Sequence, residues 1–142
     1  MIKRKIKKIL LPIDGSKNSF EGLNVGIYLA RQCGATITGL HIVPIYPTRF
    51  GDIMGPFKKG AFKQASKFMK EAKTISAQNG IVFNEKIAYG EAKLDIVEFA
   101  HSKKFDLIVI GSRGVGPVKE MFLGSVANYV VHKSKIPVLV VK

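Results

Sequence analysis

Leu107-Ile108-Val109-Ile110-Gly111-Ser112-Arg113-Gly114, with Gly124-Ser125 following after nine residues, is the stretch on which the reading of this chain turns. A short continuous apolar run that stops at a glycine reads as a strand buried on both faces, the habit of a parallel sheet. Beyond Ser125 the apolar spacing changes to that of a helix, through Val126, Tyr129 and Val130. A glycine-bearing turn between a parallel strand and a helix start is suited to holding phosphate. Glycine lets the backbone approach an anion with no Cβ in the way. Unpaired N–H groups and the positive end of the helix then favour negative charge.

Working outward, the same alternation recurs. Ile9-Leu10-Leu11-Pro12-Ile13 is an apolar run ending at Asp14-Gly15-Ser16, a strand followed by a turn. Helical spacing of Phe20, Leu23, Ile27 and Ala30 predicts a helix from Asn18 to Gly34, with Asn18 and Glu21 as a capping box and Gly34 as the stop. Thr36 to Val43 reads as a second strand. Pro44 to Pro56 reads as a loop, with three prolines and two glycines in thirteen residues. A second helix is expected from Phe57 to Asn79, its inner face made by Phe62, Ala65, Met69, Ala72 and Ile75 or Ser76. Lys59, Lys63, Lys67 and Lys70 lie outside, as a solvated face. Ile81 to Ile87 is a more polar strand and therefore belongs nearer an edge. A third helix spans Ala92 to Ser102 with Leu94, Val97 and Ala100 inward. The strand Asp106 to Gly111, a helix from Ser125 to Lys133 and a last strand Ile136 to Val141 complete the chain. Five strands alternating with four helices predict one α/β domain over residues 1–142, an open parallel sheet with helices on both faces.

Composition agrees. At 142 residues and 46% apolar side chains, the chain is long enough to bury a core and too apolar for disorder. No apolar run approaches a membrane span, and the basic start through Lys8 leads into a strand rather than a secretory signal. Cys33 is the only cysteine, which excludes an internal disulfide, fits a reducing cytoplasm, and is read as a small buried side chain. The net charge of +13 attracts polyanions, but no nucleic-acid-binding motif accompanies it, so nucleic acid is not the expected partner.

Ligands of open parallel sheets bind beyond the carboxyl ends of the strands, where the strand order reverses. Two such ends are chemically marked here, Asp14-Gly15-Ser16 and Gly111 to Gly114. Were they neighbours, an acid would face anion-binding amides across one crevice, an arrangement for a nucleotide. No Gly-Lys-Ser/Thr follows, so this is no P-loop, and the first strand lacks the glycine fingerprint of dinucleotide-binding folds. Plainer roles exist beside these: Asp14 as a turn residue, Ser125 as a helix cap, Arg113 on the surface. His41, His101 and His132 show no metal-ligand spacing. Met54 and Phe57, near the long loop, are read as core edge or lid.

Gly111, Gly114, Gly124 and Ser125 match the glycine motif of the universal stress proteins at every fixed position. The opening strand through Asp14, Leu40-His41-Ile42-Val43 and the closing Pro137-Val138-Leu139-Val140-Val141 add to a resemblance that covers nearly the whole chain. The chain resembles the ATP-binding members of that family. The resemblance implies the adenine nucleotide alpha hydrolase-like fold with strand order 3-2-1-4-5. It implies ATP, carried with Mg²⁺ or Mn²⁺, as ligand. Pro12 and Ile13 would flank the base, Asp14 the nucleoside, and the Val43 backbone the adenine. Gly111 and Gly114 would line the ribose and phosphate side, with Gly124, Ser125 and Val126 on the phosphates; Arg113 is read either as a phosphate contact or as a surface residue. The Gly116-Pro117 pair departs from many relatives and bears on the shape of the phosphate loop. With no catalytic set for phosphoryl transfer, the expected role is regulatory binding with weak hydrolysis or none. The alternatives are a nucleotide-free interaction module of the same fold and a slow ATPase. The last strand is expected to pair with its copy in a homodimer. A protein partner is expected without being identified.

Overall fold

The computed structural model describes residues 4–45, 55–114 and 123–142, with side chains of the second helix from Lys59 onward. Expectations for Met54, the Phe57 side chain, the 44–56 loop beyond Ile45 and the Gly116-Pro117 pair lie outside those residues. The elements are β1 (Lys8–Pro12), α1 (Lys17–Cys33), β2 (Thr36–Pro44), α2 (Gly55–Gln78), β3 (Phe83–Gly90), α3 (Ala92–Ser102), β4 (Leu107–Gly111), α4 (Ser125–Lys133) and β5 (Val138–Val141). The sheet is parallel throughout, in the order β3-β2-β1-β4-β5. That order places β1 beside β4, with Ile9 opposite Leu107 and Leu10 opposite Ile108. The chain therefore reverses direction across the sheet at this pair, and both marked strand ends open at the same place.

Alternation along the strands divides the core in two. Ile9 and Leu11 join Leu23, Ile27, Met69 and Phe83 on the α1/α2 side. Leu10 joins Leu40, Ile96, Ile108, Ile110 and Val130 on the α3/α4 side. Leu107 to Gly111 is buried at every position, as the continuous apolar run requires. Each fully buried Leu or Ile contributes about 1.5–3 kcal/mol. Two glycines one turn apart bring α1 unusually near the sheet. A Cβ on Gly22 would lie 3.6 Å from the Gly111 nitrogen, and one on Gly26 would lie 3.0 Å from Leu11 Cδ1. The start of α1 is thereby pressed against the carboxyl end of β4.

Several local readings change. The cap of α1 is Ser16, whose Oγ accepts from the Ser19 amide at 3.1 Å, and not Asn18 with Glu21. Helix α2 begins at Gly55, two residues before the expected Phe57, since a proline fits a first helical turn. Its buried face is Ala65, Met69, Ala72 and Ser76, whose hydroxyl is satisfied by the Ala72 carbonyl at 2.8 Å. Phe62 and Leu94, expected inward, are exposed. Cys33 is only half-buried. Asp106 precedes β4 instead of belonging to it, and its carboxylate accepts the Lys7 and Lys8 amides at 2.9 Å each, pinning β1 to β4. The polar strand β3 does lie at an edge. No helix among the described residues is long and apolar enough to cross a membrane.

Candidate functional site

The first wall of the crevice is the β1–α1 junction. Pro12 ends β1, where its missing N–H does least harm. Ile13 is then held twice by β2. Its amide donates to the Leu40 carbonyl at 2.9 Å, and its carbonyl accepts from His41 Nδ1 at 2.9 Å. A carbonyl only accepts, so the proton of neutral His41 sits on Nδ1. The His41 ring stands at 90° to Phe68, with centroids 4.9 Å apart. Phe68 also fills the space beside Gly15, where a Cβ would lie 2.7 Å from the ring. Gly15 has φ +83°, a conformation that suits glycine. Between these supports stands Asp14, its Oδ1 accepting the Ser16 amide at 2.9 Å. The turn is thus fixed on three sides, and the carboxylate is aimed rather than free to swing.

The second wall is the β4–α4 junction, tied to α1 by Asn18. Asn18 Oδ1 accepts the Arg113 amide at 2.7 Å and the Ser112 hydroxyl at 3.4 Å, while Nδ2 donates to the Val141 carbonyl at 3.3 Å. The Ser112 amide donates to the same Val141 carbonyl at 2.8 Å. Gly111 is required because a Cβ there would sit 2.7 Å from Asn18 Oδ1. The Gly124 amide returns to the Ser112 carbonyl at 2.7 Å, so the two ends of the glycine segment meet. Gly124 is the N-cap of α4, has no side chain to offer, and leaves Ser125 as the first helical residue. Ser125 is therefore not the cap. The amides of Ser125, Val126 and Ala127 begin a helix with no side-chain cap and no intrahelical acceptor.

Between the walls lies a cavity of about 390 Å³. Pro12, Ile13, Asp14, Gly111, Arg113, Gly114, Gly124, Ser125 and Val126 all line it. Val43 does not: it is buried, while its strand neighbours Ile42 and Pro44 reach the cavity by the alternation of β2. Gly124 lines the space, but its N–H is already engaged with Ser112. His41, Ser112, Ala92 and Ile96 also line it and were not anticipated; nor was the Asn18 clamp. Leu40, Ile42 and Pro44 from β2 and Ala92 and Ile96 from α3 give the cavity apolar lining, whereas Ser112, Arg113, Gly114 and Ser125 give it polar lining from the β4–α4 junction. Gly114 joins the walls, since a Cβ on it would lie 2.7 Å from Asp14 Oδ2. Burial pushes the His41 pKa below 6.5, against the opposing pull of the Ile13 carbonyl and the Asp14 charge. No group of three His, Cys, Asp or Glu side chains among the described residues could hold a metal ion, so a cation here would need oxygens brought by the ligand.

This arrangement can receive a flat apolar group against the one lining and an anion against the other, with a carboxylate able to accept hydrogen bonds from hydroxyls. The sequence profile of the universal stress protein family matches residues 5–142. Universal stress protein MJ0531 of Methanocaldococcus jannaschii is 33% identical over 144 residues, covering 96% of this chain and 82% of that protein. Among solved structures, the universal stress protein UspA from Lactobacillus plantarum superposes with a TM-score of 0.91 at 24% identity, over 99% of this chain and 100% of that one. The universal stress protein from Archaeoglobus fulgidus in complex with dAMP gives a TM-score of 0.71 at 26% identity, over 96% of this chain and 98% of that one.

Proposed function

The chain belongs to the universal stress protein family, and from that premise we propose that it binds an adenine nucleotide, ATP above all, in the crevice between β1 and β4. The observation that carries this reading is the apposition of an aimed carboxylate, Asp14, and an uncapped helix start across one preformed cavity. The adenine lies against the apolar lining, flanked by Pro12 and Ile13 and by the backbone of β2 near Val43. Asp14 accepts from the ribose hydroxyls. The phosphates meet the amides of Ser125, Val126 and Ala127, the Ser125 hydroxyl and the backbone of Gly114, with Arg113 adding positive charge. The relative from Archaeoglobus fulgidus in complex with dAMP supports an adenine ligand at this fold. Side chains at Gly111 and Gly114 would collide with Asn18 and Asp14, so the backbone stays bare at both positions. Mg²⁺ or Mn²⁺ would travel with the phosphates and neutralise their charge, Asp14 being the carboxylate of the lining.

The activity we assign is binding with a regulatory consequence in the cytoplasm, with hydrolysis weak or absent, in a homodimer paired through the exposed edge strand β5. Calorimetric titration with ATP and Mg²⁺ tests the binding. One site per chain is expected, and the absence of both heat and thermal shift at millimolar ATP overturns it. Steady turnover abolished by Asp14→Ala would instead establish an ATPase. Light scattering tests the dimer; a monomer that persists at high concentration refutes it.

A further inference from the structure

A shallow, open depression lies between α2 and the edge strand β3, lined by Lys59, Phe62, Lys63, Ser66 and Tyr89. It shares no residue with the nucleotide crevice. Phe62 and Tyr89 lie with ring centroids 6.3 Å apart and planes inclined by 19°, and they remain 41% and 44% exposed. Two large aromatic rings stacked on each other and left in water are costly unless something covers them. The helix beside them is basic, while Glu85 on β3 and Glu91 just past its end are the exposed acids nearest Tyr89 in the chain. Helix α2 carries six lysines and one acid, Glu71, in its 24 residues. At 100° per residue, Lys59, Lys63, Lys70 and Lys73 share one stripe with Ser66, and Glu71 falls outside it. The span from Lys59 to Lys73 is about 21 Å of helix.

We propose that the Phe62–Tyr89 pair and the lysine stripe of α2 form a binding platform for single-stranded nucleic acid. Bases stack on exposed aromatic rings whatever their sequence, and lysines beside the rings neutralise the phosphates. An acidic peptide would answer the lysines but not the rings, whose faces are electron-rich and repel carboxylates. A duplex would answer the lysines alone, because its base faces are already stacked. The proposal departs from the expectation drawn from missing motifs. Phe62 and Tyr89 come from different elements and meet only in the fold, where no sequence motif could display them.

Fluorescence anisotropy with labelled single-stranded RNA and DNA of mixed sequence tests the proposal on the full chain. Binding is expected that weakens steeply with salt, exceeds that of the same sequence as duplex, and persists in saturating ATP. Phe62→Ala and Tyr89→Ala should each weaken it roughly tenfold. Lys59→Glu with Lys63→Glu should weaken it further and flatten the salt dependence, while leaving the ring packing intact should either aromatic variant misfold. Absence of binding at low salt overturns the proposal. So does binding indifferent to both aromatic and lysine variants, which would be the general attraction of a +13 chain. Equal affinity for duplex, or displacement by polyglutamate that needs the same rings, would assign the surface to another polyanion.

Discussion

The two strand–helix junctions that form the crevice are built from similar parts and finished in opposite ways. At β1–α1, Ser16 caps the helix and Asp14 bonds the turn, so the backbone is satisfied from within. At β4–α4, a glycine occupies the cap position and, among the described residues, no side chain caps the first amides. The first junction is closed and rigid and presents one carboxylate. Among the described residues the second is held at its base, by Asn18, by the Ser112–Val141 bond and by the Gly124–Ser112 bond, and its helix end faces the cavity. A site for a two-ended ligand needs both finishes: an acceptor that does not move, and donors not yet spent.

The largest effect should come from joining the two walls. Gly114→Val puts a Cβ 2.7 Å from Asp14 Oδ2 and forces that carboxylate aside, and ATP affinity should fall about a hundredfold or more by calorimetry. Far-ultraviolet circular dichroism should remain unchanged. Asp14→Ala removes the fixed acceptor and should weaken ATP tenfold to about a hundredfold, the range for hydrogen bonds to a charged group.

The contrast between caps is sharpened by a pair of serines. Ser16→Ala should lower unfolding free energy by about 1 kcal/mol in denaturant melts and leave ATP affinity nearly intact. Ser125→Ala should do the reverse, weakening ATP several-fold with little loss of stability, because Ser125 caps nothing. Equal stability losses for both would erase the distinction.

The smallest effect concerns pH. Burial lowers the His41 pKa below 6.5, so the unfolded chain takes up that proton first as pH falls. Stability should therefore decline from about pH 7 downward, through the folded pKa. His41→Asn, which keeps a donor for the Ile13 carbonyl, should flatten that part of the profile.

Much of this was legible in the sequence for identifiable reasons. The runs at Ile9 and Leu107 read as buried strands because a sheet covered on both faces needs apolar side chains at successive positions. The glycines at 111 and 114 stood out because the close approaches they allow admit no side chain. What escaped was decided by distant partners. Asn18 resembled a cap residue, but its amide spans a separation of 95 residues to hold Arg113. His41 became part of the site only when Ile13 and Phe68 came beside it. Phe62 had the right helical period for the core, yet it turns to Tyr89 at the sheet edge and stays exposed.

The central claim, that the uncapped start of α4 receives phosphate, is tested most directly by amide NMR during titration with ATP and, separately, with adenosine. ATP should shift the amide signals of Ser125, Val126 and Ala127 strongly, while adenosine moves the β1 and β2 signals and leaves those three nearly still. ATP that binds without disturbing them would contradict the account.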